Sequence, residues 1–510
     1  MREERAAASL EAMKNRRDSN RLLVRHLLLP TIFLTVALAG GLRVAAETGA
    51  FLFIAPPLVA LVLSVLLMLL FARGRLVDVP AWLSGEHAPL TNVSHALTLL
   101  ALLLRFHAVY RRQLTAPNSP ARLRGDERGY DALARELLAG EPLSWPGRTP
   151  GYPAWLAALH RLGGGSYDFI GYAQAVPGAL VVPLTYLLAR RWFAAPAALG
   201  AAAIPAVLQP LVQQAALLQS EVVFTPILLV AVLALDAAVG AAEGGRPASG
   251  RAVWAGAVVG VADLVRPTLI LFPAFAAATF AVRLGLRRGL RHAALYGAAV
   301  ALVVAPWTVR NWRRYHVVLP LATSNAILWQ GSPEYYHLTH DRGYRYLDVW
   351  EKVLYGHDDN APDPGDIAGE RYWRDRAVRS IRAEPLTYLR YAAEKAAAYW
   401  VGDHNADWGD TYAFNYRALR RAGMGRFETV AVLAARLLIL PALLAAWVLR
   451  RRWRALLPVY AVLVYCTLLH AATHAEARLS EPLLPLLGVL IAGAAGAWLS
   501  AWGAPAASGS

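Results

Sequence analysis

Apolar runs long enough to cross a membrane recur along most of this 510-residue chain. A helix needs about 20 predominantly apolar residues to span the hydrocarbon core of a bilayer. Apolar residues make up 57% of the composition, more than is typical of a soluble domain. The pattern predicts an all-α integral membrane protein of about twelve transmembrane helices. The predicted spans are approximately 28–45, 51–72, 94–110, 168–189, 196–217, 221–241, 252–265, 267–283, 292–309, 428–449, 455–472 and 482–502.

The net charge of +16 does not indicate nucleic-acid binding, because much of it lies in short connectors between the spans. Alternate connectors are rich in arginine, whereas the short connectors on the other side carry only Arg266 and Arg478. Since Lys and Arg resist translocation, both termini are predicted to be cytoplasmic. The same rule places two long loops, 111–167 and 310–427, on the extracytoplasmic side.

These spans and loops predict four regions. Residues 1–93 form a basic tail with an extra transmembrane hairpin, and residues 94–309 form a membrane module that contains the first outer loop. Residues 310–427 form a large extracytoplasmic loop, and residues 428–510 form the last spans. Helical spacing of apolar residues predicts interfacial helices in both long loops, including two on either side of Pro385.

Two adjacent acids, Asp126 and Glu127, follow the third apolar run in the sequence GDERGY. A carboxylate fixed beside an acceptor hydroxyl can orient it or take its proton. Asp126 as a helix cap and Glu127 as a first-turn acid are the alternatives. Arg148, in the turn GRTPGYP, shifts the balance, because a guanidinium there can bind the oxygens of a lipid phosphate. The alternative for Arg148 is snorkelling to lipid headgroups.

These residues resemble a known family, the polytopic C-type glycosyltransferases, in the bacterial branch related to protein O-mannosyltransferases and lipid A aminoarabinose transferase. Members carry an Asp-Glu pair and a Tyr in the first outer loop, followed by a basic residue, prolines and an aromatic. The matching positions are Asp126, Glu127, Tyr130, Arg148, Pro150, Tyr152 and Pro153. Further matches are Glu221 in LLQSEVVFTP, Arg266 in GVADLVRPTLILFP, Arg310 and Asn311 in APWTVRNW, and Glu476, Arg478, Pro482 and Pro485 in AEARLSEPLLPLL. Arg148 stands in place of a phosphate-binding lysine.

The resemblance implies an enzyme that transfers a hexosyl or pentosyl group from a polyprenyl-phosphate-linked donor to an acceptor hydroxyl, with inversion. It implies a site on the outer face of the bacterial cytoplasmic (inner) membrane. Asp126 and Glu127 would be catalytic. The donor phosphate would be bound by Arg148, Arg266, Arg310 and Arg478. The acceptor or substrate pocket would contain Tyr130, Tyr152, Glu221, Asn311, His474 and Glu476. The sugar, and whether the acceptor is a glycan, a lipid or a protein, stay open.

A divalent cation, Mg²⁺ or Mn²⁺, stays open as a cofactor, and its ligands would be Asp126 and Glu221. Cys466 is the single cysteine, which excludes a disulfide within the chain, and no Cys/His zinc spacing is present. His470 and His474 lie four residues apart, a spacing that allows metal binding. With only Glu476 nearby, hydrogen bonding or phosphate contact is favoured.

Two other functions stay open. A twelve-span transporter or lipid-linked sugar flippase would show related halves, short loops and ionisable residues near the bilayer midplane. Here Asp236 is the main acid within a predicted span, and the outer loops are long and charged. A glycan polymerase or ligase would share the outer arginines, but the Asp126-Glu127 pair argues against it. For Arg266, a purely structural pairing with Asp263 is weighed evenly against function, and the oligomeric state stays open.

Overall fold

The computed structural model describes residues 88–323, 325–354, 362–363, 365–402 and 414–502, and all regular structure in these ranges is helical. The prediction of an all-helical chain is confirmed. The α-helices of five or more residues are α1 (Ala88–Thr115), α2 (Asp126–Leu138), α3 (Gly151–Leu162), α4 (Tyr167–Arg190), α5 (Ala195–Val207), α6 (Gln209–Gln213), α7 (Glu221–Glu243), α8 (Ser249–Val265), α9 (Phe272–Leu284), α10 (Leu286–Tyr315), α11 (Asn325–Gln330), α12 (Pro333–His340), α13 (Ile367–Ala383), α14 (Pro385–Val401), α15 (Tyr416–Arg421), α16 (Arg426–Arg436), α17 (Ile439–Val448), α18 (Leu457–Ala472) and α19 (Leu484–Trp502). Shorter or irregular helical segments are Pro120–Arg122, Gln214–Ala216, Tyr346–Val349, Trp350–Leu354, Leu449–Arg452, Ala477–Ser480 and Glu481–Leu483.

Local sequence explains where many of these helices begin. Proline lies in the first turn of α9, α14 and α18, where its missing N–H group costs no helical hydrogen bond. Ser166 precedes α4, and its hydroxyl accepts a hydrogen bond from the N–H group of Phe169. Such a cap satisfies one of the free N–H groups at a helix N-terminus.

Within the described residues, six helical stretches are long and apolar enough to cross a membrane: Val93–Thr115, Tyr167–Arg190, Glu221–Glu243, Leu286–Tyr315, Arg426–Arg452 and Ala477–Leu499. The pair α5 and α6 adds a seventh if its 55° bend belongs to one span. The chain is therefore a multi-pass membrane protein. The predicted spans 28–45 and 51–72 lie outside the described residues, and the total of twelve spans stays a prediction.

The bend between α5 and α6 is supported from α1 by Arg105, which is fully buried. Its Nη1 donates to the carbonyl of Ala101 at 3.0 Å, and its Nη2 donates to the carbonyl of Pro205 at 3.3 Å. Pro205 lies in the last turn of α5, where carbonyl groups run out of helical partners. A Cβ atom at Gly178 of α4 would lie 2.9 Å from Arg105 Nε, so glycine makes room for the guanidinium. Arg105 thus satisfies a broken helix end within the apolar core.

The central helix α7 connects two charged ends of the bundle. Glu221 is its first residue and Glu243 its last, which places them roughly 33 Å apart at 1.5 Å per residue. At the Glu243 end, Arg283 Nε lies 2.5 Å from Glu243 Oε1, and Arg283 Nη1 donates to the carbonyl of Arg454 at 2.8 Å. The arginine-rich connectors and the Glu221 end therefore lie at opposite ends of this helix.

Residues of the loop 310–427 have a small core of their own. Trp329 of α11 and Trp373 of α13 are fully buried, with their ring centroids 4.9 Å apart. The guanidinium of Arg376 lies over both rings and pairs with Glu334 at 2.5 Å. Helices are present on both sides of Pro385, where the sequence places them. Their position at a membrane interface stays a prediction.

Lys395 of α14 joins this core to the turn that follows α18. Its side chain is 1% exposed, and Nζ donates to the carbonyls of Gly331 at 3.1 Å and Thr473 at 2.7 Å. Burial away from water lowers the pKa of Lys395 to about 7. The unfolded chain, whose lysine titrates at 10.5, therefore binds more protons between these values.

We expect the Lys395 contribution to stability to grow as the pH rises from 7 towards 10. Stability rises with pH in this range because Lys395 must lose its proton when the chain folds. That loss costs less free energy at higher pH. The melting temperature of the detergent-solubilised protein, measured at pH 6.5, 7.5 and 8.5, should rise relative to that of Lys395→Met. A difference between the two proteins that stays constant over this pH range would contradict this prediction.

Candidate active site

Asp126 is the first residue of α2, and its side chain does not cap that helix. The N-cap position is Gly125, which has a φ of 48° and makes no side-chain cap bond. A left-handed φ of this kind favours glycine. The turn leaves the Asp126 carboxylate facing other elements, so the helix-cap alternative does not describe its contacts.

Two guanidinium groups hold the Asp126 carboxylate from different parts of the chain. Arg148 Nη2 lies 2.5 Å from Asp126 Oδ1, and Arg478 Nη1 lies 2.9 Å from Asp126 Oδ2. Arg148 precedes α3, whereas Arg478 lies in the helical turn Ala477–Ser480. The side chains are partly exposed, at 30% for Asp126, 26% for Arg148 and 16% for Arg478. The structure thus brings together three of the residues that the sequence predicts at the site.

Glu221 and Arg266 extend this cluster. Arg266 Nη1 lies 3.1 Å from Glu221 Oε1, and Arg478 Nε lies 3.5 Å from the same oxygen. Arg266 Nη1 also donates to Ser220 Oγ at 3.0 Å, and the hydroxyl of Tyr130 donates to that oxygen at 3.2 Å. Asp263, the other partner weighed for Arg266, instead accepts a hydrogen bond from the N–H group of Leu269 at 2.7 Å.

The charges of the cluster keep Asp126 ionised. Burial alone would raise the pKa of Asp126, but the positive charges of Arg478 and Arg148 outweigh burial and hold that pKa well below its ordinary value. A carboxylate in this state accepts hydrogen bonds well but binds a proton weakly. Asp126 therefore needs a change in its surroundings before it can take a proton efficiently.

Tyr130 and Tyr152 pack behind Arg148. The Arg148 guanidinium lies 4.8 Å from the Tyr130 ring centroid, and the two tyrosine rings meet edge to face at 4.8 Å. Tyr152 is fully buried, and its hydroxyl donates to Gln174 Oε1 at 2.5 Å. Tyr130 thus borders the charged cluster, while Tyr152 supports it from the core.

Glu476 and His474 lie on the far side of Arg478. Glu476 Oε2 is 3.6 Å from Arg478 Nη2, and His474 Nε2 is 3.0 Å from Glu476 Oε1. Burial would raise the pKa of Glu476, but the hydrogen bond from His474 and the charge of Arg478 lower it overall. His470 Nδ1 lies 2.9 Å from the carbonyl of His474. Both histidines make hydrogen bonds in the structure. Their predicted contact with substrate or phosphate stays a prediction.

Glu127 points away from Asp126, into a buried ion pair with Arg112 of α1. Arg112 Nη1 and Nη2 lie 2.7 and 2.8 Å from the two carboxylate oxygens. The same carboxylate accepts hydrogen bonds from the N–H groups of Arg124 at 3.0 Å and Leu218 at 2.8 Å. These contacts favour a structural role that joins α1, α2 and the segment before α7. The predicted catalytic role of Glu127 stays a prediction.

The exchange Glu127→Gln is expected to lower the free energy of unfolding by about 3 kcal/mol, because it leaves the partly buried Arg112 without its charge partner. The melting temperature of the detergent-solubilised protein should fall accordingly. Glu141→Gln makes the same chemical change at an exposed position and should leave the melting temperature unchanged. Full thermal stability of Glu127→Gln combined with loss of turnover would instead support the catalytic assignment.

Arg310 and Asn311 lie outside the cluster around Asp126. Arg310 Nη2 donates to the carbonyl of Leu143, and its Nη1 lies 3.4 Å from the Tyr315 hydroxyl. Asn311 Nδ2 donates to the carbonyls of Leu319 at 3.0 Å and Leu321 at 3.2 Å. Both side chains therefore fix the backbone near the site, and their predicted contacts with substrate stay predictions.

Among the described residues, no group of three His, Cys, Asp or Glu side chains is arranged to hold a metal ion. The two acids predicted as cation ligands, Asp126 and Glu221, both contact the Arg478 guanidinium. Because like charges repel, a divalent cation between these acids would require Arg478 to move. The residues as placed do not fit a cation, and the Mg²⁺ or Mn²⁺ requirement stays a prediction.

Three neighbours of the cluster are absent from the predicted site. Ser220 links Tyr130 with Arg266, and Arg112 anchors Glu127. Trp145 lies against Arg148, with the guanidinium 5.1 Å from the indole ring. Ser220 precedes an acid, and Trp145 lies in the sequence SWPGRTP. Neither pattern is specific enough to predict a contact with the site.

The model of the dolichyl-phosphate-mannose-protein mannosyltransferase family matches residues 147–310 of the chain. The matched segment contains Arg148, Glu221, Arg266 and Arg310, in the order the sequence resemblance gives. This segment of the chain is similar to the C-type membrane glycosyltransferases. The predicted resemblance is confirmed, and a membrane glycosyltransferase is favoured over a transporter or flippase.

Among solved structures, the crystal structure of ArnT from Cupriavidus metallidurans bound to undecaprenyl phosphate is similar to this chain. The identity is 18% and the TM-score is 0.39, over 79% of this chain and 78% of that chain. A comparison with curated proteins found no match.

Proposed function

We propose that this protein is a membrane glycosyltransferase that transfers a sugar from a polyprenyl-phosphate-linked donor to an acceptor hydroxyl on the extracytoplasmic face, with inversion. The observation that carries the proposal is the pairing of one carboxylate, Asp126, with two guanidinium groups from Arg148 and Arg478. The group supplies a proton acceptor and a phosphate-binding pair within one ion cluster. The family matched by residues 147–310 is described by a polyprenyl-type phosphate donor, dolichyl-phosphate-mannose.

In the proposed reaction, the acceptor oxygen forms a bond to the anomeric carbon from the face opposite the phosphate. The bond between that carbon and the phosphate oxygen breaks, and its electron pair leaves with the polyprenyl phosphate. The hydroxyl proton passes to Asp126. Arg148 and Arg478 stabilise the growing negative charge on the leaving phosphate, and Arg266 adds positive charge nearby.

Donor binding also prepares Asp126 for this role. A phosphate that accepts hydrogen bonds from Arg148 and Arg478 competes with Asp126 for the same guanidinium groups. As these groups turn to the phosphate, the pKa of Asp126 moves up towards its ordinary value, because its two neighbouring cations are neutralised. The carboxylate then becomes a better base when the donor is in place.

Charge distribution supports the extracytoplasmic location. Glu221 begins α7 at the Asp126 cluster, and Glu243 ends it beside the arginine-rich connectors. Their separation of roughly 33 Å is close to the thickness of a bilayer core. With the connectors in the cytoplasm, as the positive-inside rule requires, the cluster faces the outer side.

The acceptor side of the proposed site lies towards Glu221 and Ser220. Glu221 is 1% exposed and carries a carboxylate that Arg266 and Arg478 both approach. Tyr130 completes this side through its hydrogen bond to Ser220. The acceptor hydroxyl would enter between Asp126 and this group. Glu476 and His474 would hold Arg478 in place from the opposite side.

The experiment that tests the function is an incubation of purified protein with a polyprenyl-phosphate sugar, in which release of polyprenyl phosphate is followed over time. Release that depends on an added hydroxyl acceptor would support transfer. A transporter or flippase would release none, and a polymerase would require a diphosphate-linked donor. Absence of release with polyprenyl-phosphate hexose and pentose donors, across glycan, lipid and protein acceptors, would overturn the proposal.

A further inference from the structure

We propose that Trp145 is a positioning residue for Arg148, and that it transmits the position of the outer segment around Gly365 to this guanidinium. The inference rests on the proposed function, in which Arg148 binds the donor phosphate. Among the described residues, no hydrogen bond joins Trp145 to Asp126, whereas the Arg148 guanidinium lies over the Trp145 ring. Any effect of Trp145 on the reaction would therefore act through Arg148.

The first observation is that two aromatic rings flank the Arg148 guanidinium. Its central carbon lies 5.1 Å from the Trp145 ring and 4.8 Å from the Tyr130 ring. Attraction between a guanidinium and an aromatic face favours this placement. The rings restrict the guanidinium, so that its Nη2 reaches Asp126 Oδ1 at 2.5 Å. Without the indole, one side of Arg148 would lose its support.

The second observation is that two glycines make room for the indole. A Cβ atom at Gly365 would lie 2.2 Å from Trp145 Nε1, and one at Gly147 would lie 2.8 Å from Trp145 Cε2. At Gly129 of α2 the corresponding distance, to Cζ3, is 3.7 Å, so a side chain at residue 129 would only touch the indole. The φ of Gly365 is outside the left-handed region, so backbone conformation does not require glycine there. Space for Trp145 does.

The third observation is that the outer segment also holds the backbone of the turn before Arg148. The N–H group of Thr323 donates to the carbonyl of Pro146 at 3.1 Å, and the Thr323 hydroxyl donates to the carbonyl of Gly365 at 3.0 Å. The hydroxyl of Tyr315 donates to the carbonyl of Ser144 at 3.2 Å. Since α13 begins two residues after Gly365, any movement of α13 would reach Trp145 directly.

These contacts join the segment around Gly365 to Arg148, the proposed phosphate-binding residue, which lies more than two hundred residues earlier in the chain. Trp145 fills the space between them, with Gly365 against its Nε1 edge and Arg148 over its ring. A side chain at residue 365 should therefore displace the indole and, with it, the guanidinium. The consequence would be weaker binding of a lipid phosphate, with no direct effect on the acceptor.

The test compares Trp145→Ala, Trp145→Phe, Gly365→Ala and the double variant Gly365→Ala with Trp145→Phe. Binding of polyprenyl phosphate and the KM values for donor and acceptor would be measured on the full-length protein in detergent. We expect Trp145→Ala and Gly365→Ala to weaken lipid-phosphate binding and raise the donor KM about fivefold, the size of one cation–π contact. The acceptor KM should stay unchanged.

The double variant separates positioning from a general loss of structure. The smaller phenyl ring leaves space for a methyl group at residue 365, so Gly365→Ala with Trp145→Phe should bind polyprenyl phosphate as well as Trp145→Phe alone. Gly297→Ala is the matched control, because a Cβ atom at Gly297 meets nothing within 4 Å. If Gly365→Ala fails to fold, Trp145→Ala and Trp145→Phe, which introduce no clash, still decide the question.

Two failures can be told apart. If the wild-type protein binds polyprenyl phosphate but Trp145→Ala and Gly365→Ala bind it equally well, the positioning role of Trp145 is wrong. The same holds if binding falls only in proportion to thermal stability, or if the double variant shows no recovery over Gly365→Ala. If the wild-type protein does not bind polyprenyl phosphate at all, the proposed function fails instead.

Discussion

Asp126→Asn is expected to abolish sugar transfer while binding polyprenyl phosphate more tightly than the wild type. The carboxylate is the proposed proton acceptor, and loss of a general base typically lowers turnover by about 10²- to 10⁴-fold. It also competes with the donor phosphate for Arg148 and Arg478, which contact its two oxygens at 2.5 and 2.9 Å. A neutral amide leaves both guanidinium groups available to the phosphate.

Two measurements are needed for this variant, namely turnover with a polyprenyl-phosphate sugar and the dissociation constant of polyprenyl phosphate. Asp375→Asn is the control, because the Asp375 side chain is 47% exposed in α13, where it pairs with the neighbouring Arg374. It should match the wild type in both measurements. Near-normal turnover of both Asp126→Asn and Arg148→Ala would mean that the assigned site is wrong. Weaker lipid binding by Asp126→Asn would refute the competition between Asp126 and the phosphate.

Arg478→Ala is expected to have the next largest effect, lowering turnover by about 10²- to 10³-fold. Arg478 is the only residue of the described cluster that contacts Asp126, Glu221 and Glu476 together. In the proposed reaction, removing Arg478 takes a positive charge from the leaving phosphate. It also leaves Glu221 and Glu476, which are both poorly exposed, with less compensation for their charge. Lower thermal stability should therefore accompany the loss of turnover.

A second exchange separates these two effects of Arg478→Ala. Adding Glu476→Gln removes one of the uncompensated carboxylates and should recover part of the melting temperature. It supplies no positive charge, so transfer should stay low. Glu476→Gln alone serves as the reference. Recovery of transfer together with stability in the double variant would assign Arg478 a structural role, and the phosphate would then have to be bound elsewhere.

Much of the local structure follows from the sequence alone. The third predicted span, 94–110, lies within α1, and the predicted spans 168–189 and 221–241 lie within α4 and α7. Apolar runs with proline or serine at their starts are sufficient to place such helices, because both signals act over a few residues. The residues predicted as a span at 196–217 are mostly helical, but the prediction does not anticipate the break between α5 and α6 that Arg105 supports. Their being one span stays a prediction.

The sequence also predicted which acidic and basic residues form the site, and that they lie on the side of the membrane opposite the arginine-rich connectors. Asp126, Arg148, Glu221, Arg266 and Arg478 are far apart in sequence, and the structure joins them in one ion cluster. Their family order and the arginine asymmetry were enough to group them. Neither could place Arg310, whose guanidinium binds the backbone at Leu143 instead.

Only the tertiary structure decided which of the neighbouring acids faces the cluster. Asp126 and Glu127 are adjacent, yet the start of α2 directs one towards Arg148 and the other towards Arg112. Successive side chains of a helix point about 100° apart, so the partner of each depends on what packs against each face. The role of Trp145 was missed for the same reason, because the glycines that make room for its ring, Gly147 and Gly365, lie in two separate segments. Patterns along a chain report periodicity and charge, whereas contacts between distant segments exist only once the helices have packed.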